Sequence, residues 1–512
     1  MKRVIWLKFN NMSDLKQICK ITGEEFPVSE WEQKFLKRMD MPIPTLSPDE
    51  RQKRRLTQRN ERTLYKRTCD LCKKTMIAIY PQEAFFPVYC NECWWSDGWD
   101  AMENGMDFNF DRGFFEQFEY LYLKCPRVGV LTRNSQNSEY TNCEEHAKNC
   151  YLTFGGGYSQ DCMYCHFCVY SKDCIDCAMT ERCELCYECL ELENCYHCMY
   201  LRNSINCSDC FLGSDLIGCK NCFGCCGLRG KEYYIFNKEH SKEEYEAEIK
   251  SLIRDINSPT IKSEFEKLYN NTPVKFARLT SCEDCRGDYI LNSQNCIDCY
   301  DIRKCKDCMH VYWGEDCKDC YDSNVVYIGT ELVYNSQSIC LSCHFVRCSN
   351  FCWNVSFVDY SDYCHYSNNL FGCVSLKHKE NCILNKQYSK EEYESLKSRI
   401  IEHMKKTGEW GEFWSFSPFA YNETVAQIYL PMAKEEVFKR GFRWKNEDNK
   451  TQEAVPDAVL CAECGKVFKY MPKELKFYEN MELTKPLKCH DCRYKARMSL
   501  RNPRHLWKRS CA

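Results

Sequence analysis

Polar and apolar positions in the middle of the chain follow a short period. Cys-x-x-Cys pairs begin at Cys162, Cys174, Cys183, Cys195, Cys207 and Cys219, at steps of 12, 9, 12, 12 and 12 residues. They return at Cys282, Cys296, Cys305 and Cys317, at steps of 14, 9 and 12. Asp, Asn and Ser punctuate these stretches, with Tyr, Phe, Ile and Leu between them. Asp precedes the second cysteine of a pair at Asp176, Asp209, Asp284, Asp298, Asp307 and Asp319, where its side chain can bond to the backbone of a turn. Twelve residues are too few for a helical hairpin, so each coil is expected to be two short strands joined by turns. Equivalent cysteines would then stack about 4.8 Å apart. The predicted form is a short-coil cysteine-rich β-solenoid; an irregular run of zinc knuckles is the alternative.

The pattern changes to helical at two places. Asn237 to Glu246 reads Asn-Lys-Glu-His-Ser-Lys-Glu-Glu-Tyr-Glu, and Asn385 to Glu394 reads Asn-Lys-Gln-Tyr-Ser-Lys-Glu-Glu-Tyr-Glu, 148 residues later. Ser-x-x-Glu is a capping box in both, predicting helices near 241–255 and 389–406 that close the preceding array. The arrays, at 134–237 and 278–388, are thus expected to be copies of one unit. The predicted organisation is a degenerate zinc-ribbon-like module with a basic tail at 1–68 and a four-cysteine zinc module at 69–133. The arrays with their capping helices occupy 134–270 and 271–410. An aromatic and helical connector spans 411–460, and a zinc ribbon with a basic tail spans 461–512. The fold class is mainly β with helices.

Composition narrows the chemistry. The 512 residues include 44 cysteines but only 21 glycines and 15 prolines, and the net charge is −3. A mean hydropathy of −0.58 and the lack of a long apolar run exclude a membrane-spanning helix. Val4-Ile5-Trp6-Leu7 is shorter than the roughly 7–15 residues of a secretory core, so a cytoplasmic protein with reduced thiols is expected. The array thiols could be a packed core, further metal ligands or disulfides. Nothing in their spacing resembles a ferredoxin.

Cys461-x2-Cys464-x24-Cys489-x2-Cys492 supplies four thiolates as two pairs on separate turns, a closed tetrahedral zinc site of structural type. With Gly465, Phe468, Glu474, Phe477, Tyr478, Pro486 and Arg493 around it, this stretch resembles the probable zinc-ribbon, treble-clef-like family, a resemblance that implies zinc. Shifting by 442 residues puts Cys19 on Cys461, Gly23 on Gly465, Phe26 on Phe468, Glu32 on Glu474, Phe35 on Phe477, Pro44 on Pro486 and Arg51 on Arg493. Thr22, Ser47 and Glu50 fall on the other ligands, so the N-terminal copy is expected to be metal-free. Cys69-x2-Cys72-x17-Cys90-x2-Cys93 predicts a second zinc site, with buried Cys-x-x-Cys turns as the alternative. Two structural zinc ions are therefore expected, and further metal in the arrays is open.

Catalysis finds little support. The Cys-x-x-Cys pairs lack the single helix-start context of a redox enzyme, and Gly155-Gly156-Gly157 lacks the Lys-Ser/Thr of a phosphate loop. Binding is better supported. Residues 51–67 carry eight basic side chains against one acid, and 493–509 carry seven and no acid, with Tyr494 and Trp507 among them. Arg51, Lys53, Arg54, Arg55, Arg493, Arg497 and Arg501 are the candidate phosphate contacts. The alternative is a solvated basic helix face. The aromatic stretch 413–421 is either core or an exposed anchor for a protein partner.

The Arg59-Asn60-Glu61-Arg62-Thr63-Leu64-Tyr65 run, the paired arrays and Ser417-Pro418-Phe419-Ala420-Tyr421-Asn422-Glu423 make the chain similar to uncharacterised cysteine-rich bacterial zinc-ribbon proteins, a family that brings no activity with it. The leading expectation is a non-catalytic zinc-binding scaffold that binds RNA or a ribonucleoprotein through its basic segments. Its rivals are a metal-storing or thiol-buffering protein and a purely structural interaction scaffold.

Overall fold

The structure, a computed structural model, describes residues 14–446, 457–508 and 510. It is mainly β with helices. No helix among the described residues is long and apolar enough to cross a membrane.

In the first array each residue pairs in parallel with the residue 12 positions on. His166 pairs with Ala178, Ala178 with Leu190 and Leu190 with Arg202; Ser208 pairs with Lys220 and Lys220 with Glu232. Bridges such as Gln160 to Lys172 and Met163 to Ile175 carry the ladder between the strands. The chain bends every third residue. His146, Asn149, Leu152, Gly155, Tyr158, Asp161 and Tyr164 all have positive φ, and the series runs on through Asp176. A 12-residue advance therefore has four sides of three residues, not the two strands expected.

The six aspartates picked out from the sequence all take this left-handed conformation, with φ between 49° and 55°. So do Phe167, Leu185 and His197, which carry no turn signal. Left-handed backbone costs such residues roughly 1–2 kcal/mol each. The ladder offsets this by pairing their amides, as in Tyr164 to Tyr151 (3.0 Å) and Phe167 to Phe154 (2.8 Å).

One side chain per side points inward, at the residue after each bend. Cys162, Cys165, Cys174, Cys177, Cys186 and Cys189 fill such positions and are buried. Four inward positions per turn leave little room, and cysteine is small and apolar enough to fit. The thiols sit against backbone carbonyls on their own and the next turn, as Cys165 does with Met163 (3.3 Å) and Cys174 (3.4 Å). The three-residue side explains why steps of 9 and 12 coexist: either keeps the sulfur inside. The step of 14 falls where the second array drops a residue, pairing changing from Glu283 with Gln294 to Gly287 with Cys299.

Both arrays end alike. Phe236-Asn237 and Leu384-Asn385 are two-residue turns with both φ positive, joining the last strand to a short antiparallel one. Asn237 brackets Cys226 with two backbone hydrogen bonds, and Asn385 brackets Val374 in the same way, 148 residues on. Ser241 and Ser389 then cap helices Lys242–Arg254 and Lys390–Thr407, with Glu244 and Glu392 completing each capping box.

The largest apolar cluster lies beside the second array, where helix Phe114–Lys124 packs with Tyr321, Tyr360, Phe371 and Trp410. Phe413, Trp414 and Phe419 belong to it, and Tyr421 is buried against Val425 and Ala426. The aromatic stretch contributes to the core, the first of the two readings open for it.

Candidate metal centres and the arginine anchors

Cys461 and Cys464 lie on the turn of the hairpin Val459–Leu460/Val467–Phe468, and Cys489 caps helix His490–Met498, placing Cys492 in its first turn. The turn needs left-handed backbone at Gly465 (φ 69°). The four sulfurs lie within 4.8 Å of one another, and Cys464 and Cys489 are 3.7 Å apart. Zinc–sulfur bonds of about 2.3 Å give tetrahedral edges of about 3.8 Å, so the donor set fits that ion. The Cys489 amide donates to the Cys461 sulfur at 3.3 Å. Burial opposes ionisation of Cys461, but the amides of Cys464, Cys489 and Glu463 bring its thiol down to about 6.

Cys69, Cys72, Cys90 and Cys93 repeat this arrangement. The hairpin is Tyr65–Thr68/Thr75–Ala78, Cys90 caps helix Asn91–Trp94, and the Cys90 amide donates to Cys69 at 3.3 Å. Cys72 and Cys90 are 3.8 Å apart. Burial opposes ionisation of Cys69, yet the amides of Cys90, Cys72 and Leu71 hold it at about 7. Burial and the neighbouring thiols push Cys93 up to about 12. Four such thiols ionise together only around a cation. The structure thus brings together both four-cysteine sets that the sequence pointed to.

Residues 457–500 match the family described as a probable treble clef domain. No curated protein matches the chain.

The N-terminal module follows the C-terminal treble clef element for element at the 442-residue shift. Helix Glu30–Arg38 falls on Pro472–Asn480, and Pro48–Leu56 on His490–Met498. Cys19 donates its amide to Glu24 as Cys461 does to Lys466, and Lys20 to Thr45 as Ala462 does to Leu487. Ser47 stands at the helix start in place of Cys489. Packing and hairpin are kept while one thiol of four remains, which does not make a zinc set.

The basic side chains proposed for phosphate contacts are committed inside the molecule. Buried Arg51 reaches Asp322 at 2.5 Å and the Leu46 carbonyl at 2.6 Å; buried Arg55 bonds Asn324 and Asn335 at 2.9 and 2.8 Å. Lys53 pairs with Glu50 at 2.7 Å, and Arg54 with Glu412 at 3.2 Å. Arg493 reaches Asp176 at 2.8 Å, and Arg497 reaches Asp176 at 3.1 Å and Glu188 at 2.7 Å. Arg501 binds Glu191 at 2.6 Å and also Asp301. Arg51, Arg55, Arg493, Arg497 and Arg501 are thus held by array residues and anchor the modules to the arrays, whereas Lys53 pairs within its own helix and Arg54 with the connector.

The anchors correspond at the same shift: Arg51 to Arg493, Arg55 to Arg497, Arg59 to Arg501, Arg62 to Arg504. Each first arginine lies over an array tyrosine, Arg51 on Tyr321 and Arg493 on Tyr164. Those tyrosines donate to Glu32 (2.6 Å) and Glu474 (2.7 Å), which are themselves equivalent. Sequence reasoning missed the acceptors Asp176 and Asp322. Extending the 442-residue alignment past Arg51 would have shown the arginines to be a matched set.

Proposed function

We propose that this chain is a non-catalytic, zinc-stabilised scaffold: two four-sided β-solenoids on which treble clef modules are locked by buried arginine–carboxylate anchors. The observation that carries the reading is the matched anchor, Arg51–Asp322 on one array and Arg493–Asp176 on the other. Zinc would be held by Cys69, Cys72, Cys90 and Cys93, and by Cys461, Cys464, Cys489 and Cys492. Each set offers four protein ligands, a structural arrangement with no position for substrate or water. The 12-residue register and the bend at every third residue support the solenoid reading.

Elemental analysis of the chain purified without added zinc tests this. About two zinc ions per chain, lost together with treble clef order on chelation, are expected. A zinc-free protein with unchanged structure would overturn it. Binding of RNA through the seven basic residues is disfavoured by their pairing. Charge reversal at Arg54, the most exposed of the seven, is expected to leave nucleic-acid retention unchanged.

A further inference from the structure

The interior of the second array holds thiols arranged differently from the two complete sets. The sulfurs of Cys308, Cys317 and Cys320 lie within 4.8 Å of one another, with Cys308 and Cys317 4.0 Å apart. All three are at most 2% exposed. Among the described residues no other three array thiols converge so closely. Cys305 stands 3.0 Å from Cys317 but is not within the same distance of all three.

A second feature lies beside them. Gly314 occupies an inward position whose neighbours one turn either way are Ile302, its ladder partner, and Val326, both fully buried. A Cβ at Gly314 would come within 3.1 Å of the Cys317 sulfur and 3.3 Å of the Cys305 sulfur. Gly314 has no positive φ that would call for glycine. Val311 Cγ1 would also be met at 3.1 Å, so any side chain at this position would crowd the sulfurs, and glycine leaves that space to them.

We propose that Cys308, Cys317 and Cys320 form a metal site distinct from the zinc sets, a three-sulfur site for a soft monovalent cation of the copper(I) class. The donors are all sulfur, which selects soft ions. Three converging ligands suit a three-coordinate d10 ion, where structural zinc takes four. The site is closed to water, so the ion enters as the array forms. Binding forms three metal–sulfur bonds and releases the thiol protons to solvent, with no change of oxidation state.

The test uses the full chain, expressed with copper supplied and purified anaerobically with dialysis against a copper(I) chelator. One copper per chain is expected in addition to the zinc, with the thiolate-to-copper absorption and the emission of a shielded copper(I)–sulfur centre. Cys317→Ser should abolish copper retention and leave zinc unchanged. Gly314→Ala, which keeps every sulfur but crowds Cys317 and Cys305, should also lower retention, and it decides the matter should C317S fail to fold. Loss of copper from the unaltered chain during dialysis would overturn the proposal. So would equal retention by both variants, or copper gained only as zinc is lost.

Discussion

Asp176 and Asp322 each face two arginines from a distant part of the chain and are fully buried. Removing one partner of such a pair strands the other charges in a low-dielectric site. Asp176→Ala is therefore expected to destabilise the protein by about 3–5 kcal/mol, read as a lower urea midpoint. Asp322→Ala should do the same on the other array, and midpoints unchanged in both would remove the anchors from the account. Glu61 is the acid of a buried network, 2.5 Å from Arg59 and 2.7 Å from His166, whose ring also faces the Tyr494 hydroxyl at 3.2 Å. Burial raises its pKa, but Arg59 and His166 outweigh that and bring it from 4.5 to about 2. The folded value lies below the unfolded one, so Glu61 contributes stability above about pH 4.5 that is lost as pH falls toward 2. Urea midpoints measured across this window should fall less steeply for Glu61→Gln than for the unaltered protein; parallel curves would contradict the assignment. At this scale the sequence displayed the donors and concealed the acceptors. A run of arginines stands out by composition, whereas Asp176 is one aspartate among many at bends. Only the fold brings it beneath helix His490–Met498.

Among the elements, a hairpin followed by a helix recurs in three modules, of which only 457–500 matches the treble clef family, and the three offer a metal different numbers of thiols. Where four thiols converge, as in Cys461, Cys464, Cys489 and Cys492, their mutual repulsion when ionised makes the module dependent on a cation. In the N-terminal copy that dependence is absent. Ser29 and Glu32 close a capping box, and Arg51 and Arg55 hold the second helix to the array. Chelation, or Cys464→Ser, is therefore expected to raise amide hydrogen exchange across 457–500 while 15–56 stays protected. Equal loss of protection in the two modules would contradict this. The elements were the most legible part of the sequence: the capping boxes, the array ends and the 442-residue correspondence were all readable as residue patterns. The four-sided bend was not. Asp and Asn mark only some of the left-handed positions, and Tyr164, Phe167 and Leu185 take that conformation because the neighbouring turns pair their amides. That is a property of the stack and not of the local residues.

For the whole molecule, stacked units that touch only their neighbours would let each array unfold by itself. The segments following the two terminal modules oppose this by running between the arrays. Arg59 bonds Ser338 of the second array at 2.7 Å, while its neighbour Glu61 holds His166 of the first. The C-terminal segment does the converse: Arg501 reaches Glu191 of the first array and Asp301 of the second, and Arg504 joins it on Asp301 at 2.8 Å. Arg504 also lies 3.7 Å from the Trp313 ring, which stacks on Phe167 across the seam. Direct contacts add to these, with Arg303 paired to Glu181 and the Tyr289 hydroxyl bonded to Asn203 at 2.8 Å. Two arrays linked this way share one free energy of opening. The strands at 190–205 and 286–303 should then exchange their slowest amides at the same denaturant concentration. The double variant Arg501→Glu, Arg504→Glu places like charges against Glu191 and Asp301 and should split that shared transition in two. A single transition persisting in the variant would mean that the direct contacts alone couple the arrays. Two transitions already present in the unaltered chain would mean that the seam does not couple them at all.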